Sequence, residues 1–167
     1  MAAERTVVLE HERIQRKLAR MALQVVEHHP GEKHLVIVGV MPRGAVLARR
    51  LKKLLDEMPG ITTGLVELTL PKDGPLDAPV QLKPAGQMLQ GAAVVLVDDV
   101  LMSGRTLMHA ASHLVKHPLK QLTTVVLVDR MHRAFPIRAD IVGLTLSTTM
   151  QEHISVEMGR KDTVYLS

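Results

Sequence analysis

Hydrophobic residues follow two periods along the chain. Between Glu10 and His28, Ile14, Leu18, Met21 and Val25 recur at three- and four-residue steps, the face of a helix that Pro30-Gly31 stops. Leu35 to Val40 (LVIVGV) is wholly apolar, as in strands buried on both faces of a parallel sheet. Met41-Pro42-Arg43-Gly44 follows, then a predicted helix from Ala45 to about Glu57. Ile61 to Leu70 alternates in part and predicts a third strand. The same strand–loop–helix grammar returns at Ala93–Leu107 (AVVLVDDVLMSGRTL). Its branched run, Val94 to Val97, ends in Asp98-Asp99, and Val100 to Met102 leads into Ser103-Gly104-Arg105-Thr106. A helix over Thr106–Val115 turns Leu107, Ala110, Ala111 and Leu114 inward. Leu122–Val128 and Ile141–Leu146 read as further strands, with short alternating pieces at Ile154–Met158 and Thr163–Leu166 around a polar Gly159–Asp162 turn. The sum is an α/β fold, a mostly parallel central sheet flanked by helices, with right-handed crossovers.

Between the third strand and the second strand–loop–helix unit the pattern breaks down. Pro71 to Gly91 holds four of the nine prolines and several glycines. That composition opposes a regular element and predicts a long mobile loop, the kind that serves as a lid.

Composition narrows the class. At 167 residues the chain is most simply one domain, residues 1–167, able to bury about 70% of its extended surface. With no cysteine, disulfides and thiolate metal sites are excluded. No signal-type or membrane-spanning run is present, which makes a cytoplasmic protein the expectation. The net charge of +4 suits anionic ligands, and Phe135 and Tyr165 are the only aromatics besides histidine, too few to stack several bases. Arg13, Arg16, Lys17 and Arg20 form a basic stripe on the first helix, either a solvated face or an anion contact. His109, His113 and His117 have the i, i+4 spacing of metal ligands, but no acidic residue in the segment supports them.

The chemistry concentrates at the second unit. A helix opening offers free N–H groups and a positive dipole end, which suit a phosphate. Carboxylates beside it suit sugar hydroxyls or a hydrated magnesium ion. Arg43 stands at the carboxyl end of its own strand, the ligand side of an open α/β sheet. P-loop, dinucleotide and nucleophile-elbow motifs are absent.

VVLVDDVLMSGRT resembles the 5-phosphoribosyl diphosphate (PRPP) signature of the type I phosphoribosyltransferases. LVDRMHRAFPIRADIVG resembles a segment of the PyrR family, pyrimidine operon attenuators that are also uracil phosphoribosyltransferases. VGVMPRGAVLARRL and the final strands follow that family in order, so the resemblance spans essentially the whole chain. It implies the type I phosphoribosyltransferase fold with a flexible loop over the site. Asp98 and Asp99 would bind the ribose hydroxyls of PRPP, directly or through Mg²⁺. Val100, Leu101 and Met102 would line the site, and Ser103, Gly104, Arg105 and Thr106 would hold the 5′-phosphate. Arg43 and Gly44 correspond to the pyrophosphate loop. Relatives often carry a cis peptide there, and Pro42 makes a cis Met41–Pro42 bond inexpensive. The Pro71–Gly91 loop would close over PRPP.

The resemblance also bears on the acceptor. Relatives that use 6-oxopurines typically carry an aspartate at the position of Met102, so methionine points to a pyrimidine, uracil first. Residues resembling the family's base- and RNA-contacting segment are Arg130, Met131, His132, Arg133 and Arg138, with Arg20 on the first helix. There are departures. Lys72 and Asp73 stand where an Arg-Asp-Asp cluster is usual, Ala19 and Leu23 replace a threonine and a histidine, and Met131 replaces a glycine. The implied activity is Mg²⁺-dependent transfer of phosphoribose to uracil. The alternatives are an RNA-leader-binding regulator of pyrimidine genes, or a PRPP-binding protein with little catalysis. The family further implies a homodimer or higher homo-oligomer.

Overall fold

In the computed structural model, which describes residues 4–167, the chain runs β1 (Thr6–Leu9), α1 (His11–His28), β2 (His34–Val40), α2 (Arg43–Asp56), β3 (Thr62–Thr69), β4 (Gln81–Lys83), a 3-10 turn (Gly86–Leu89), β5 (Ala93–Leu101), α3 (Arg105–Leu114), β6 (Gln121–Asp129), β7 (Ile141–Thr145), β8 (Ile154–Glu157) and β9 (Thr163–Leu166). The main sheet has the order β4-β3-β2-β5-β6-β7, parallel throughout except for the antiparallel edge strand β4. The all-apolar runs occupy its centre because both of their faces are covered. Val95 and Val97 point to the layer holding α1 and α2, Val94 and Leu96 to the layer holding α3. All four are fully buried, and each such side chain contributes about 1.5–3 kcal/mol over exposure.

Strand order reverses once within the parallel set. From β2 the chain steps outward to β3, then returns to the other side of β2 to lay down β5, β6 and β7. The loops leaving the carboxyl ends of β2 and β5 therefore part in opposite directions and leave a crevice, the usual ligand position in such sheets.

One expectation needs correction, and one element was not foreseen. Pro71–Gly91 is not irregular throughout. Leu82 pairs across from Leu68 on the edge of β3, and Leu89 anchors the 3-10 turn in full burial. Apolar residues at those two positions outweigh the proline-rich composition, and residues 71–80 are the longest part of the segment left without a regular element. The segment ahead of α1, for which the sequence pattern predicted no element, supplies β1. It pairs with β9, which pairs with β8, in a separate antiparallel sheet.

That small sheet is clasped to the main body by Asp162, from the turn read as polar and in fact completely buried. Its carboxylate accepts from Arg50 of α2, from Gln15 Nε2 of α1 (2.7 Å) and from the Gly159 N–H (3.0 Å). A carboxylate with this many donors is held in place despite burial. No helix among the described residues is long and apolar enough to cross a membrane.

Candidate active site

The crevice between the ends of β2 and β5 gathers the residues singled out above. Gly44, in the first turn of α2, lies against the end of β5. A Cβ there would sit 2.7 Å from the Val97 carbonyl oxygen and 3.0 Å from the Asp98 Cα, so only glycine lets the two loops approach this closely. The Met41–Pro42 peptide is cis, as the resemblance implied. Arg43 extends over the acidic pair, with Nη1 4.0 Å from Asp99 Oδ2.

Asp98 and Asp99 are both buried, at 4% and 7% exposure. The Asp99 N–H donates to Asp98 Oδ1 (2.9 Å). Burial, followed by the negative charge of Asp99, pushes the Asp98 carboxyl well above the usual carboxylate range, and the positive charge of Lys72 acts in the opposite sense. Loop residue Lys72 is thus within electrostatic reach of the acidic pair. Asp73 beside it is exposed.

Beyond the carboxylates lies a hollow of about 60 Å³ lined by Asp98, Val100 to Leu107 and Val126, room for a phosphate group. Gly104 enters α3 with φ +86°, the left-handed conformation that turns the loop, and a Cβ would meet Ile137 Cγ2 at 2.7 Å. The loop is held from behind. Ser103 O accepts the N–H groups of Ala134 (2.8 Å) and Phe135 (3.0 Å), and Met102 O accepts Arg133 Nη1 (2.8 Å). With these carbonyls engaged on the outer side, and the Arg105 N–H donating to Ser103 Oγ (3.2 Å), the loop brings the N–H end of α3 to the hollow.

Arg105 turns aside from that hollow. Its Nη2 donates to Gly74 O (2.6 Å), and its guanidinium lies 5.6 Å from the Phe135 ring centre. One turn on, His109 Nε2 lies 3.0 Å from Ala78 O. Two residues of α3 thereby tie down the 71–80 loop, a role for His109 that the spacing of the three histidines did not suggest. His113 and His117 instead stack edge to face, 5.7 Å apart.

The post-β6 segment divides. Met131 takes φ +65°, a left-handed turn of the kind that favours glycine, with the Met131 N–H on Asp129 Oδ1 (2.9 Å) and the side chain exposed. Arg133 bonds Asp129 Oδ1 (2.6 Å), Ile137 O (2.9 Å) and Met102 O, which makes it a brace behind the phosphate loop. Arg130 and His132 reach the segment before β8. Arg138 is exposed in the loop before β7. Arg20 lies on α1, away from the crevice, donating to Val142 O (3.2 Å) and Gly143 O (2.9 Å) of β7. Lys17 bonds the same Gly143 O (3.1 Å), and burial, then the charges of Arg20 and Arg13, lower its pKa. The bracing roles of Arg133 and Phe135 were not foreseen. Their partners on that loop, Met102 and Ser103, lie about thirty residues upstream, and nothing in the local pattern marks them.

A parallel sheet with an acidic pair and a phosphate loop at its switch point defines the type I phosphoribosyltransferase class. The Phosphoribosyl transferase domain family matches residues 5–161. Bifunctional protein PyrR of Macrococcus caseolyticus (strain JCSC5402) is 33% identical over 172 residues, covering 98% of this chain and 99% of its own. The Bacillus cereus (strain AH820) PyrR is 36% identical over 172 residues, covering 95% and 93%. The chain belongs to the PyrR family of phosphoribosyl transferases. Among solved structures, a hypoxanthine-guanine phosphoribosyltransferase from Bacillus anthracis aligns with a TM-score of 0.75 at 23% identity, covering 89% of this chain and 86% of that one, a likeness of fold.

Proposed function

We propose that this protein, read as one domain over residues 1–167, binds PRPP in the switch-point crevice and transfers its phosphoribosyl group to uracil, giving UMP and diphosphate. The observation that carries the reading is the juxtaposition of a buried acidic pair, a braced phosphate loop and Arg43 at one crevice. The phosphate would lie in the hollow at Ser103–Thr106, the ribose hydroxyls on Asp98 and Asp99, and the diphosphate toward Arg43 and Gly44. Fixing the sugar at both ends holds its C1 for in-line displacement. The C1–O bond to diphosphate breaks, the C1–N1 bond to uracil forms, and the uracil N1 proton passes to water. Arg43 and Lys72 offset the negative charge gathering on the departing diphosphate. Residues 71–80, tied to α3 by Arg105 and His109, are positioned to limit water at C1.

The donor set fits magnesium. Two adjacent carboxylates, the pKa of Asp98 raised first by burial and then by the charge of Asp99, form an oxygen-donor pair whose negative charge a hydrated dication would stabilise. Bound with PRPP beside Asp98 and Asp99, Mg²⁺ would supply Lewis-acid stabilisation of the diphosphate. Met102 supports a pyrimidine acceptor, since a thioether cannot serve a purine ring nitrogen as a carboxylate does. The family supports a cytoplasmic setting and a homo-oligomer.

Regulation through an RNA leader is the second reading. It is favoured by the cradle of about 280 Å³ on α1 lined by Arg13, Arg16, Lys17 and Arg20, and by relatives named bifunctional. Assaying uracil, orotate and purines with Mg-PRPP tests the first. Turnover of uracil alone is expected, and tight PRPP binding without turnover of any base would leave only a binding protein. For the second, leader-RNA affinity falling steeply with salt is expected, and equal affinity for unrelated RNA would refute it.

A further inference from the structure

Residues 71–80 contain two turns in tandem. The Gly74 N–H donates to Pro71 O (3.1 Å), and the Ala78 N–H donates to Pro75 O (3.0 Å). Each turn is tied to α3 through the carbonyl of its closing residue. Arg105 Nη2 donates to Gly74 O (2.6 Å), and His109 Nε2 donates to Ala78 O (3.0 Å). The two ties differ in their surroundings. His109 is buried one turn beyond the phosphate hollow, whereas Arg105 is half-buried and lines it. Both groups that hold the Arg105 guanidinium, the Gly74 carbonyl and the Phe135 ring 5.6 Å away, are electrically neutral.

A phosphate in the hollow is a stronger partner for that arginine. It offers opposite charge and two parallel hydrogen bonds, where the carbonyl offers one uncharged oxygen. A planar fork is aimed at one of them at a time. We propose that Arg105 is a ligand-operated latch. In the free protein it pins the Pro71–Gly74 turn to α3, and a phosphate entering the hollow draws it off Gly74 O and frees that turn. The tie at His109, outside the hollow, is left as the hinge. The equilibrium shifts because the phosphate engages the guanidinium only in the released state. The freed turn carries Lys72, whose charge acts on the Asp98–Asp99 pair in the free protein. Filling the hollow therefore releases a loop cation for the diphosphate end of the same ligand. The inference rests on the phosphate reading of the hollow and adds an order to binding, phosphate first and loop second.

Amide exchange followed residue by residue by NMR, with and without saturating ribose 5-phosphate, tests the latch. In the wild type the ligand should speed exchange at residues 72–74 by about tenfold or more, the loss of one charge-assisted bond. Bound ligands ordinarily slow exchange, so the sign is diagnostic. Arg105→Met should exchange at the faster rate without ligand and show no further response at saturation. Gly74→Ala loosens the latch from the loop side, because the new Cβ would meet Pro71 Cγ at 2.9 Å and Pro71 Cβ at 3.0 Å and shift the turn. With Arg105 no longer held there, calorimetry should show ribose 5-phosphate binding about threefold more tightly, part of the bond given up. Exchange at 72–74 that is unchanged or slower with ligand bound overturns the latch. So does an Arg105→Met variant that still responds, or a Gly74→Ala variant that binds no more tightly than wild type. A wild type that binds no ribose 5-phosphate refutes the phosphate reading itself, and the latch falls with it.

Discussion

Replacing Gly104 with alanine probes the geometry on which the proposed phosphate binding depends. Gly104 has φ +86°, where a Cβ costs about 1–2 kcal/mol. The new methyl also meets Ile137 Cγ2 at 2.7 Å and Phe135 O at 3.3 Å, and overpacking of that kind costs about 1–3 kcal/mol. Alanine restricts the unfolded chain, which returns about 0.4–1 kcal/mol. The net destabilisation is about 1–5 kcal/mol, a fall in Tm of about 2–18 °C for a domain of this size. Thermal unfolding reads it directly. Ribose 5-phosphate titration should show at least a tenfold weaker complex, because relief of the contact moves the loop that presents the N–H groups. The double variant with Ile137→Ala separates the two causes. It should recover the steric part, a coupling of about 1 kcal/mol, and leave the backbone part. Unfolding within 0.5 kcal/mol of wild type, judged against that scale, together with unchanged affinity, would refute the reasoning.

Three other outcomes follow from the same contacts. Asp98 has a folded-state pKa above its unfolded value of about 3.9, so the folded protein holds the extra proton between the two values. Ligand-free stability should then fall as pH rises through that window and level off above it. Asp98→Asn should abolish this slope and raise ligand-free stability at neutral pH while weakening Mg-PRPP at least tenfold, as Tm measured from pH 4 to 8 would show. Arg105→Met removes the charged donor from Gly74 O. Such a bond is worth about 1.5–3 kcal/mol, so amide exchange across residues 72–78 should speed up at least tenfold. Unchanged exchange would mean the loop is held by other contacts. Asp162→Asn leaves Arg50 without its carboxylate beneath the small sheet. A loss of about 2–3 kcal/mol is expected by denaturant titration, below the fully buried range because Arg50 is partly exposed.

Short-range patterns were enough to establish the central strands and the three helices, and to single out the Asp98–Thr106 connection as the candidate site. Apolar periodicity is written over a few consecutive residues, and the Asp98-to-Thr106 chemistry lies on one strand–loop–helix connection, so no distant partner is needed to recognise it. Even the strained turn at Met131 could be located, because the residue replaces a glycine in a familiar segment. What tertiary structure alone decided are the contacts that join distant parts of the chain. β1 is a strand because β9, far along the chain, supplies its hydrogen bonds, and β4 exists because β3 leaves an open edge. Asp162 looked like an exposed turn residue until Arg50 and Gln15 closed over it. Arg130 and Arg133 read as surface cations, but their donors meet carbonyls and a carboxylate that only the folded chain brings within reach. A charged residue's role depends on what it is paired with, and that pairing is a property of three-dimensional packing.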